Sequence, residues 1–196
     1  GEDKIYGGAG ADIIDAGADD DFLVGGAGSD TIDGGEGVDE ISYGTDAAAG
    51  GDSGVTVDLN SGTATDGFGS QDQLSNIENI IATNEADQLT GSAAANVILG
   101  NAGDDTISGL DGADTIDGGF GNDALSGGLG DDNLLGGGGD DIIVGGLGDD
   151  VIDGGEGVDT IEGGEGDDIV DAGEGDDLII GGNGAGDDYY AGGDGI

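Results

Sequence analysis

A nine-residue repeat runs without a gap from Gly100 to Ile180, and it constrains the fold more than any other feature of the sequence. Each unit follows the pattern glycine-glycine-x-glycine-x-aspartate-x-aliphatic-x, and its sixth position is always aspartate. Self-similarity at a fixed period indicates units that stack on one another. The sixth-position residues of this run are Asp105, Asp114, Asp123, Asp132, Asp141, Asp150, Asp159, Asp168 and Asp177.

The composition of one unit predicts a turn followed by a very short strand. Six glycine-rich residues form the turn, and the three residues around the aliphatic position form a strand that turns the aliphatic side chain to one face. Two units then close a coil with one strand on each side, and successive coils stack as parallel strands about 4.8 Å apart. The sequence therefore predicts an all-β fold with two parallel sheets and a narrow aliphatic ladder between them.

The same period occupies the start of the chain, so we assign residues 1–42 to a first repeat block. Asp19 stands where the fourth-position glycine belongs, so we expect that turn to be strained or differently liganded. The chain starts and stops inside a repeat, which leads us to expect a segment of a longer protein. The sixth-position residues of this block are Asp12, Asp21, Asp30 and Asp39.

Residues 43–85 break the period, and we interpret them as a β insertion that continues the stack. Alternating apolar residues over 55–59, a turn at 60–62, a short strand at 63–65 and a loop at 66–70 support this interpretation. Short strands are also favoured over a helix for residues 74–81. Residues 86–196 form the second repeat block.

Two repeats at the start of the resumed period depart from the pattern. The unit at 82–90 has almost no glycine, and Asn96 replaces the aspartate of the unit at 91–99. We expect these two units to bind a cation weakly or not at all.

The charge of the chain excludes several classes of partner. Its 196 residues include 46 acidic residues against one basic residue, Lys4, for a formal net charge of −45. Nucleic acids and anionic membranes both require basic surface. No window is long and apolar enough for a membrane span, so membrane insertion is not expected.

The chemistry left to the chain is that of oxygen ligands. It contains no cysteine and no histidine, which removes disulfides, zinc sites and most general bases that work at neutral pH. Carboxylates and backbone carbonyls remain, and these are the ligands of hard cations, above all Ca²⁺.

A cation is also needed on energetic grounds. One buried aliphatic side chain contributes on the order of 1.5–3 kcal/mol, whereas ordering one residue costs roughly 1–2 kcal/mol in backbone entropy. With one such side chain in nine residues, the hydrophobic contribution is too small, and metal binding must supply the difference.

Stacking places the turn of each repeat under that of the second repeat after it. A cation between such turns can take carboxylate oxygens from two aspartates and carbonyl oxygens from the glycine-rich backbone, which gives about ten Ca²⁺ sites over the chain. One edge carries Asp105, Asp123, Asp141, Asp159 and Asp177, and the other carries Asp114, Asp132, Asp150, Asp168 and Asp188.

The repeat resembles that of the RTX, or haemolysin-type, calcium-binding proteins, over residues 3–42 and from 86 to about 190. The resemblance implies a calcium-loaded parallel β-roll, a right-handed solenoid of nonapeptides with two parallel sheets. It also implies type I secretion of an unfolded chain, folding outside the cell and backbone ligands at the second and fourth positions. Those positions here are Gly26, Gly28, Gly35, Gly37, Gly119, Gly121, Gly128, Gly130, Gly137, Gly139, Gly146, Gly148, Gly155, Gly157, Gly164 and Gly166.

Other site types fit the sequence poorly. A dinucleotide-binding loop needs a strand and a helix around its glycines, and no helix is expected here. An EF-hand loop starting at Asp58 has Gly62 and Thr63 at positions that require a ligand and a glycine. Every carboxylate pair is periodic and none stands out as a catalytic pair, so we expect no enzyme activity within this chain.

Three roles remain open from the sequence. The first is a calcium-triggered, structural folding module of a large secreted or cell-surface bacterial protein. The second is a lateral-assembly segment of an adhesin, surface-layer or filament protein, which would contact copies of itself or neighbouring domains. The third is an accessory module of a secreted enzyme whose catalytic domain lies outside this chain.

Two surface features bear on these roles. The pattern leaves open whether the acids at the fifth positions, such as Asp104, Asp140 and Asp149, only line the surface. Apolar residues at the seventh and ninth positions are expected to face outward and could mediate lateral contacts. They are Ile142, Val144, Leu178, Ile180, Val97, Leu99, Phe22 and Val24.

Overall fold

The computed structural model describes residues 1–45, 50, 51, 53–182 and 186–193. These residues form short β-strands and no helix, so none of them belongs to a helix able to cross a membrane. The strands are β1 (Lys4–Ala9), β2 (Ile13–Ala18), β3 (Phe22–Ala27), β4 (Thr31–Glu36), β5 (Glu40–Ser42), β6 (Thr56–Asp58), β7 (Thr63–Thr65), β8 (Gln71–Ser75), β9 (Asn79–Ile81), β10 (Gln88–Thr90), β11 (Val97–Leu99), β12 (Thr106–Asp111), β13 (Thr115–Phe120), β14 (Ala124–Leu129), β15 (Asn133–Gly138), β16 (Ile142–Leu147), β17 (Val151–Glu156), β18 (Thr160–Glu165), β19 (Ile169–Asp171), β20 (Leu178–Ile180) and β21 (Tyr189–Ala191).

The strands alternate between two sheets, because the chain changes side after every turn. Sheet A has the order β1-β3-β5-β9-β11-β13-β15-β17-β19-β21, and sheet B has the order β2-β4-β8-β7-β6-β10-β12-β14-β16-β18-β20. All pairs between repeat strands are parallel. The all-β solenoid with two parallel sheets predicted from the repeat is confirmed.

The eighth-position side chains form the predicted ladder between the sheets. On sheet A, Ile116, Leu134, Ile152 and Val170 pair in successive strands and are fully buried. Tyr190 continues this column beside Val170. Each coil therefore adds one aliphatic side chain per sheet to a core that is only one residue wide.

The insertion adds strands to sheet B. Strands appear at 56–58 and 63–65, as the alternation predicted. Strand β7, however, runs antiparallel to both β6 and β8, which the sequence did not predict. Local hydrogen bonds close both connections into tight turns, because the N–H of Gly62 donates to the Leu59 carbonyl at 3.3 Å and the N–H of Ser70 donates to Oδ1 of Asp66 at 2.6 Å. The chain therefore reverses direction within sheet B.

Of the eight apolar residues predicted to face outward, four are exposed, three are half-buried (Val144, Leu99 and Phe22) and one is buried. Ile142 is 57% exposed and Leu178 is 55% exposed. The prediction is wrong for Val24, which is 4% exposed. Phe68, from the loop after β7, lines a cavity together with Val24, so the insertion covers this part of sheet A.

Two adjacent glycines should respond differently to the same substitution. Gly137 has a φ of 104°, and a Cβ there would collide with the Gly119 carbonyl oxygen, whereas a Cβ on Gly138 would lie 3.5 Å from the Phe120 ring. We expect Gly137→Ala to cost on the order of 1–3 kcal/mol and Gly138→Ala a few tenths of that. Thermal unfolding in saturating calcium measures both, and equal losses would contradict the role assigned to Gly137.

Candidate metal centres

The sixth-position aspartates stack along the two edges of the solenoid. The backbone N–H of Asp123 donates to Oδ1 of Asp141 at 2.8 Å, and that of Asp141 donates to Oδ1 of Asp159 at 2.8 Å. On the other edge, the N–H of Asp132 donates to Oδ1 of Asp150 at 2.9 Å. Each of these bonds spans 18 residues, so the predicted alignment of alternate repeats is confirmed.

The second carboxylate oxygen of these aspartates has no partner. Each Oδ2 lies inside its own turn beside the first-position residue, so that a Cβ on Gly136 would collide with Oδ2 of Asp141. A buried charged oxygen without a hydrogen bond is costly and requires compensation. Within the described residues, the atoms in this state are Oδ2 of Asp12, Asp21, Asp30, Asp39, Asp105, Asp114, Asp123, Asp132, Asp141, Asp150, Asp159, Asp168 and Asp177.

In turns that depart from the repeat, protein groups donate hydrogen bonds to the corresponding side-chain oxygen. Oδ2 of Asp87 accepts from the N–H of Thr83 at 2.9 Å and from its hydroxyl at 3.0 Å. Oδ1 of Asn96 accepts from the N–H of Ser92 at 2.7 Å. These turns close without an ion, which supports the expectation that the units at 82–90 and 91–99 bind a cation weakly or not at all.

The insertion supplies a third turn of this kind, which the sequence did not point to. Asp72 is fully buried and takes the place of a repeat aspartate, because its Oδ1 accepts from the N–H of Asp30 at 2.9 Å. Its Oδ2 accepts from the Tyr43 hydroxyl at 3.2 Å. A tyrosine that is distant in sequence thus occupies the position that remains open in the repeats.

The predicted glycine ligands adopt the conformation that brings their carbonyls toward the next coil. All of those named above have φ between 90° and 151°. The carbonyl oxygens of Gly119 and Gly121 lie directly beneath Gly137 and Gly139 of the following coil. Backbone oxygens therefore line the stacked turns alongside the aspartates.

These donors fit a calcium ion. They are all oxygens, and an irregular set of carboxylate and carbonyl oxygens suits Ca²⁺ better than the strict octahedron of Mg²⁺. No cluster of three or more His, Cys, Asp or Glu side chains that could hold a metal occurs within the described ranges. The candidate ligands at the stacked turns therefore include backbone carbonyls as well as the aspartates.

Asp188 differs from the other predicted aspartates. Its Oδ1 accepts from the N–H of Asp168 at 3.2 Å, which aligns it with that edge. Its side chain is exposed, however, and Oδ2 accepts from the Tyr190 hydroxyl at 3.0 Å. The last turn is thus closed in part by a protein group.

The fifth-position acids form a second, exposed ladder on the outside of the turns. Oδ1 of Asp140 accepts from the N–H of Val158 at 2.8 Å, and Oδ1 of Asp149 accepts from the N–H of Asp167 at 2.8 Å. Each bond again joins consecutive coils of one edge. These carboxylates therefore connect coils from outside, while the sixth-position carboxylates point into the turns.

Burial and like charge oppose ionisation of the inner aspartates in the calcium-free protein. Burial is the main cause, and the neighbouring aspartates of the same edge a further one, of the rise in the pKa of Asp105, Asp141 and Asp150 to about 7. Burial also raises the pKa of Asp114 to about 6. A divalent cation in the turns would remove this penalty.

The model of the RTX calcium-binding nonapeptide repeat matches both repeat blocks. The matched residues are 1–23, 15–47, 81–116, 90–125, 117–152, 126–161, 153–185 and 163–196. The chain belongs to this family. No curated protein matches it. Membership of the RTX family makes calcium the expected ion of the turns described above.

The calcium-free protein should lose stability as the pH rises. The folded-state pKa values of Asp105 and Asp141 are about 7, against 3.8 for an aspartate in water, so the folded chain holds protons that the unfolded chain releases. Stability from these groups is therefore fully present below a pH of about 4 and is lost as the pH rises through about 7.

Circular dichroism of protein stripped of calcium on a chelating resin tests this expectation. We expect more β structure at about pH 5 than at about pH 8. Sedimentation at each pH confirms that the signal comes from monomer. A β signal that is constant or rises between the two values would show that the carboxylates are not desolvated as described.

Proposed function

We propose that this chain is a calcium-binding, calcium-triggered folding module of a large secreted bacterial RTX protein, with a structural and non-catalytic role. The observation that carries the proposal is the row of buried Oδ2 atoms without partners, all of which, among the described residues, lie in turns with the repeat sequence. The turns at Asp72, Asp87 and Asn96 serve as internal controls, because hydrogen bonds replace the ion there.

The proposed ligands are the sixth-position aspartates and the carbonyls of the second- and fourth-position glycines named above, holding about ten ions. Without calcium, the net charge of −45 and the thin core leave the chain unfolded. When an ion neutralises one turn, that turn orders the next coil, since each aspartate is hydrogen-bonded to its neighbour. Folding then proceeds cooperatively along each edge.

The hydrogen-bonded turns of the insertion separate two groups of calcium sites. Residues 1–42 and 86–196 are the proposed calcium-loaded blocks, and residues 43–85 join them through strands in both sheets. The aliphatic ladder continues through this junction, because Ile80 pairs with both Ile41 and Ile98. The blocks are therefore proposed to share one core while they bind calcium separately.

A location outside the cell follows from the same mechanism. The chain would stay unfolded where calcium is scarce, which suits export through a type I secretion channel, and would fold where calcium is abundant. The family assignment supports this proposal, because RTX repeats occur in secreted bacterial proteins. An accessory role beside a secreted catalytic domain is compatible with it.

The direct test of the proposal is calcium-dependent folding. We expect a disordered circular dichroism spectrum in excess chelator at neutral pH and a β-rich spectrum in millimolar calcium. The reason is that bound ions would offset the negative charge of the buried carboxylates. A roll that is fully folded in chelator would overturn the proposal.

Matched variants test the assignment of the ligands in the same calcium titration. Asp141→Ala and Asp150→Ala should each weaken calcium binding, because each removes an oxygen from inside a turn. Asp140→Ala is the control, since this exposed acid connects coils from outside. Asp87→Ala should lower thermal stability without reducing the number of ions bound. Equal effects of Asp140→Ala and Asp141→Ala would contradict the assignment.

Exposed aliphatic residues on sheet B favour lateral assembly as a second role. Ile142 and Leu178 occupy the same position two strands apart, with Thr160 between them, and are 57% and 55% exposed. They form an apolar patch, interrupted by Thr160, on a strongly acidic surface.

If this patch mediates self-association, the protein in calcium should dimerise or polymerise as its concentration rises, and Ile142→Asp should abolish this. Ile169→Asp places the same charge at a 52% exposed position of sheet A and is the control. Sedimentation velocity over a concentration series provides the measurement. A monomer at all concentrations would exclude the second role.

A further inference from the structure

A groove on the outer face of sheet A combines apolar walls with two carboxylates. It has a volume of about 380 Å³ and lies across strands β11, β13, β15 and β17. Its lining includes Leu99, Asp117, Phe120, Gly138 and Glu156. The floor of the groove includes Gly119 and Gly137, whose carbonyls are proposed calcium ligands, whereas the side chains of Asp117, Phe120 and Glu156 are not among the proposed ligands.

Gly138 opens the groove. Phe120, Gly138 and Glu156 are consecutive in register, so a position without a side chain separates an aromatic ring from a carboxylate. Phe120 and Glu156 stand two strand spacings apart, roughly 10 Å. The Phe120 ring leans over Gly138, where an added Cβ would lie 3.5 Å from it, and Phe120 is 74% exposed. The result is a slot one residue wide beside an open aromatic face.

Asp117 lies in the apolar part of this groove without a partner. It is flanked in register by Leu99 and Leu135 and is half-buried. Its carboxylate accepts no hydrogen bond and forms no ion pair with the described residues. A half-desolvated carboxylate between two leucines is unfavourable alone and favourable beside a cation.

The other end of sheet A contains a cation in comparable surroundings. Lys4 Nζ lies 5.2 Å from the centroid of the Phe22 ring, and Glu40 follows Phe22 in register. The chain thus uses its one basic side chain in an arrangement of cation, aromatic ring and carboxylate. At Phe120 the aromatic ring and the carboxylates are present but the cation is missing, because the chain has no second lysine or arginine.

We propose that the groove at Phe120 is a docking site for a basic side chain, arginine or lysine, presented by a partner protein. The aliphatic part of such a side chain would lie along Leu99 and the glycine floor, and its charged end would contact Asp117 and the face of Phe120. Arginine suits the site best, because its planar guanidinium stacks on an aromatic ring while it donates to a carboxylate. Glu156 provides a second negative charge at the rim.

The test uses the capped tripeptide acetyl-Gly-Arg-Gly-amide with isotopically labelled, calcium-saturated protein at physiological salt. We expect amide shifts confined to the residues that line the groove. The same peptide with citrulline, which keeps the shape of arginine without its charge, should not bind. Binding of the citrulline peptide with equal affinity would overturn the role of charge.

Three variants separate the groove from the general negative charge of the protein. Gly138→Leu fills the groove without changing the charge, and leucine already occupies the same repeat position at 129 and 147. Asp117→Asn removes the inner charge. Each should weaken peptide binding by at least about tenfold. Asp153→Asn is the control, since this exposed residue lies two strands along the same column and outside the groove.

Two results would overturn the proposal. The first is wild-type affinity in Gly138→Leu, provided that calcium-dependent circular dichroism shows the variant to be folded. The second is an equal loss in Asp117→Asn and Asp153→Asn, which would show that the peptide binds the acidic surface diffusely. Neither result would contradict the proposal of calcium-dependent folding, because the circular dichroism titration tests that property separately.

Discussion

In the described repeat turns from Asp12 to Asp39 and from Asp105 to Asp177, one carboxylate oxygen is removed from water and receives no hydrogen bond, and the stability of the solenoid depends on how this oxygen is compensated. The other oxygen of the same carboxylate is already engaged by the backbone of the preceding coil. The aspartate therefore has two roles. Its Oδ1 aligns the coils, and its Oδ2 carries a buried negative charge that requires a cation nearby. The two cannot be separated, because the geometry that aligns the coils is also the geometry that buries the charge.

The hydrophobic core is too thin to offset the cost of burying these carboxylates. A column of single aliphatic residues, such as Ile116, Leu134 and Ile152, buries little surface for each residue that must be ordered. In the insertion, where no row of ions is expected, the chain compensates differently. It brings in Tyr43 and Thr83 as donors and adds an antiparallel strand to sheet B. The buried side-chain oxygen is therefore hydrogen-bonded in some turns and left for a cation in others, depending on the local sequence of each turn.

Much of this arrangement could be predicted from the sequence, because it depends on period alone. A spacing of nine places alternate aspartates above each other whatever the details of the turn, so both edges and the aliphatic ladder follow directly. The Tyr43–Asp72 contact could not be predicted in this way, since it joins residues 29 apart that share no period. The burial of Val24 depends on a loop that folds back from the insertion, and the reversal at β7 depends on hydrogen-bonded turns at 59–62 and 66–70 that lie outside the nine-residue period.

The exposed ladder of fifth-position acids has a consequence for the charge balance of the edges. A coil with aspartate at both positions, such as Asp140 with Asp141, brings two negative charges to its edge, one outside the turn and one inside it. One divalent ion in that turn would carry two positive charges, so the turn would be electrically neutral when it is filled. Coils with Asn122 or Val158 at the fifth position are one charge short. The charge that remains on each edge after calcium binding should therefore vary along the solenoid with a residue that does not touch the ion.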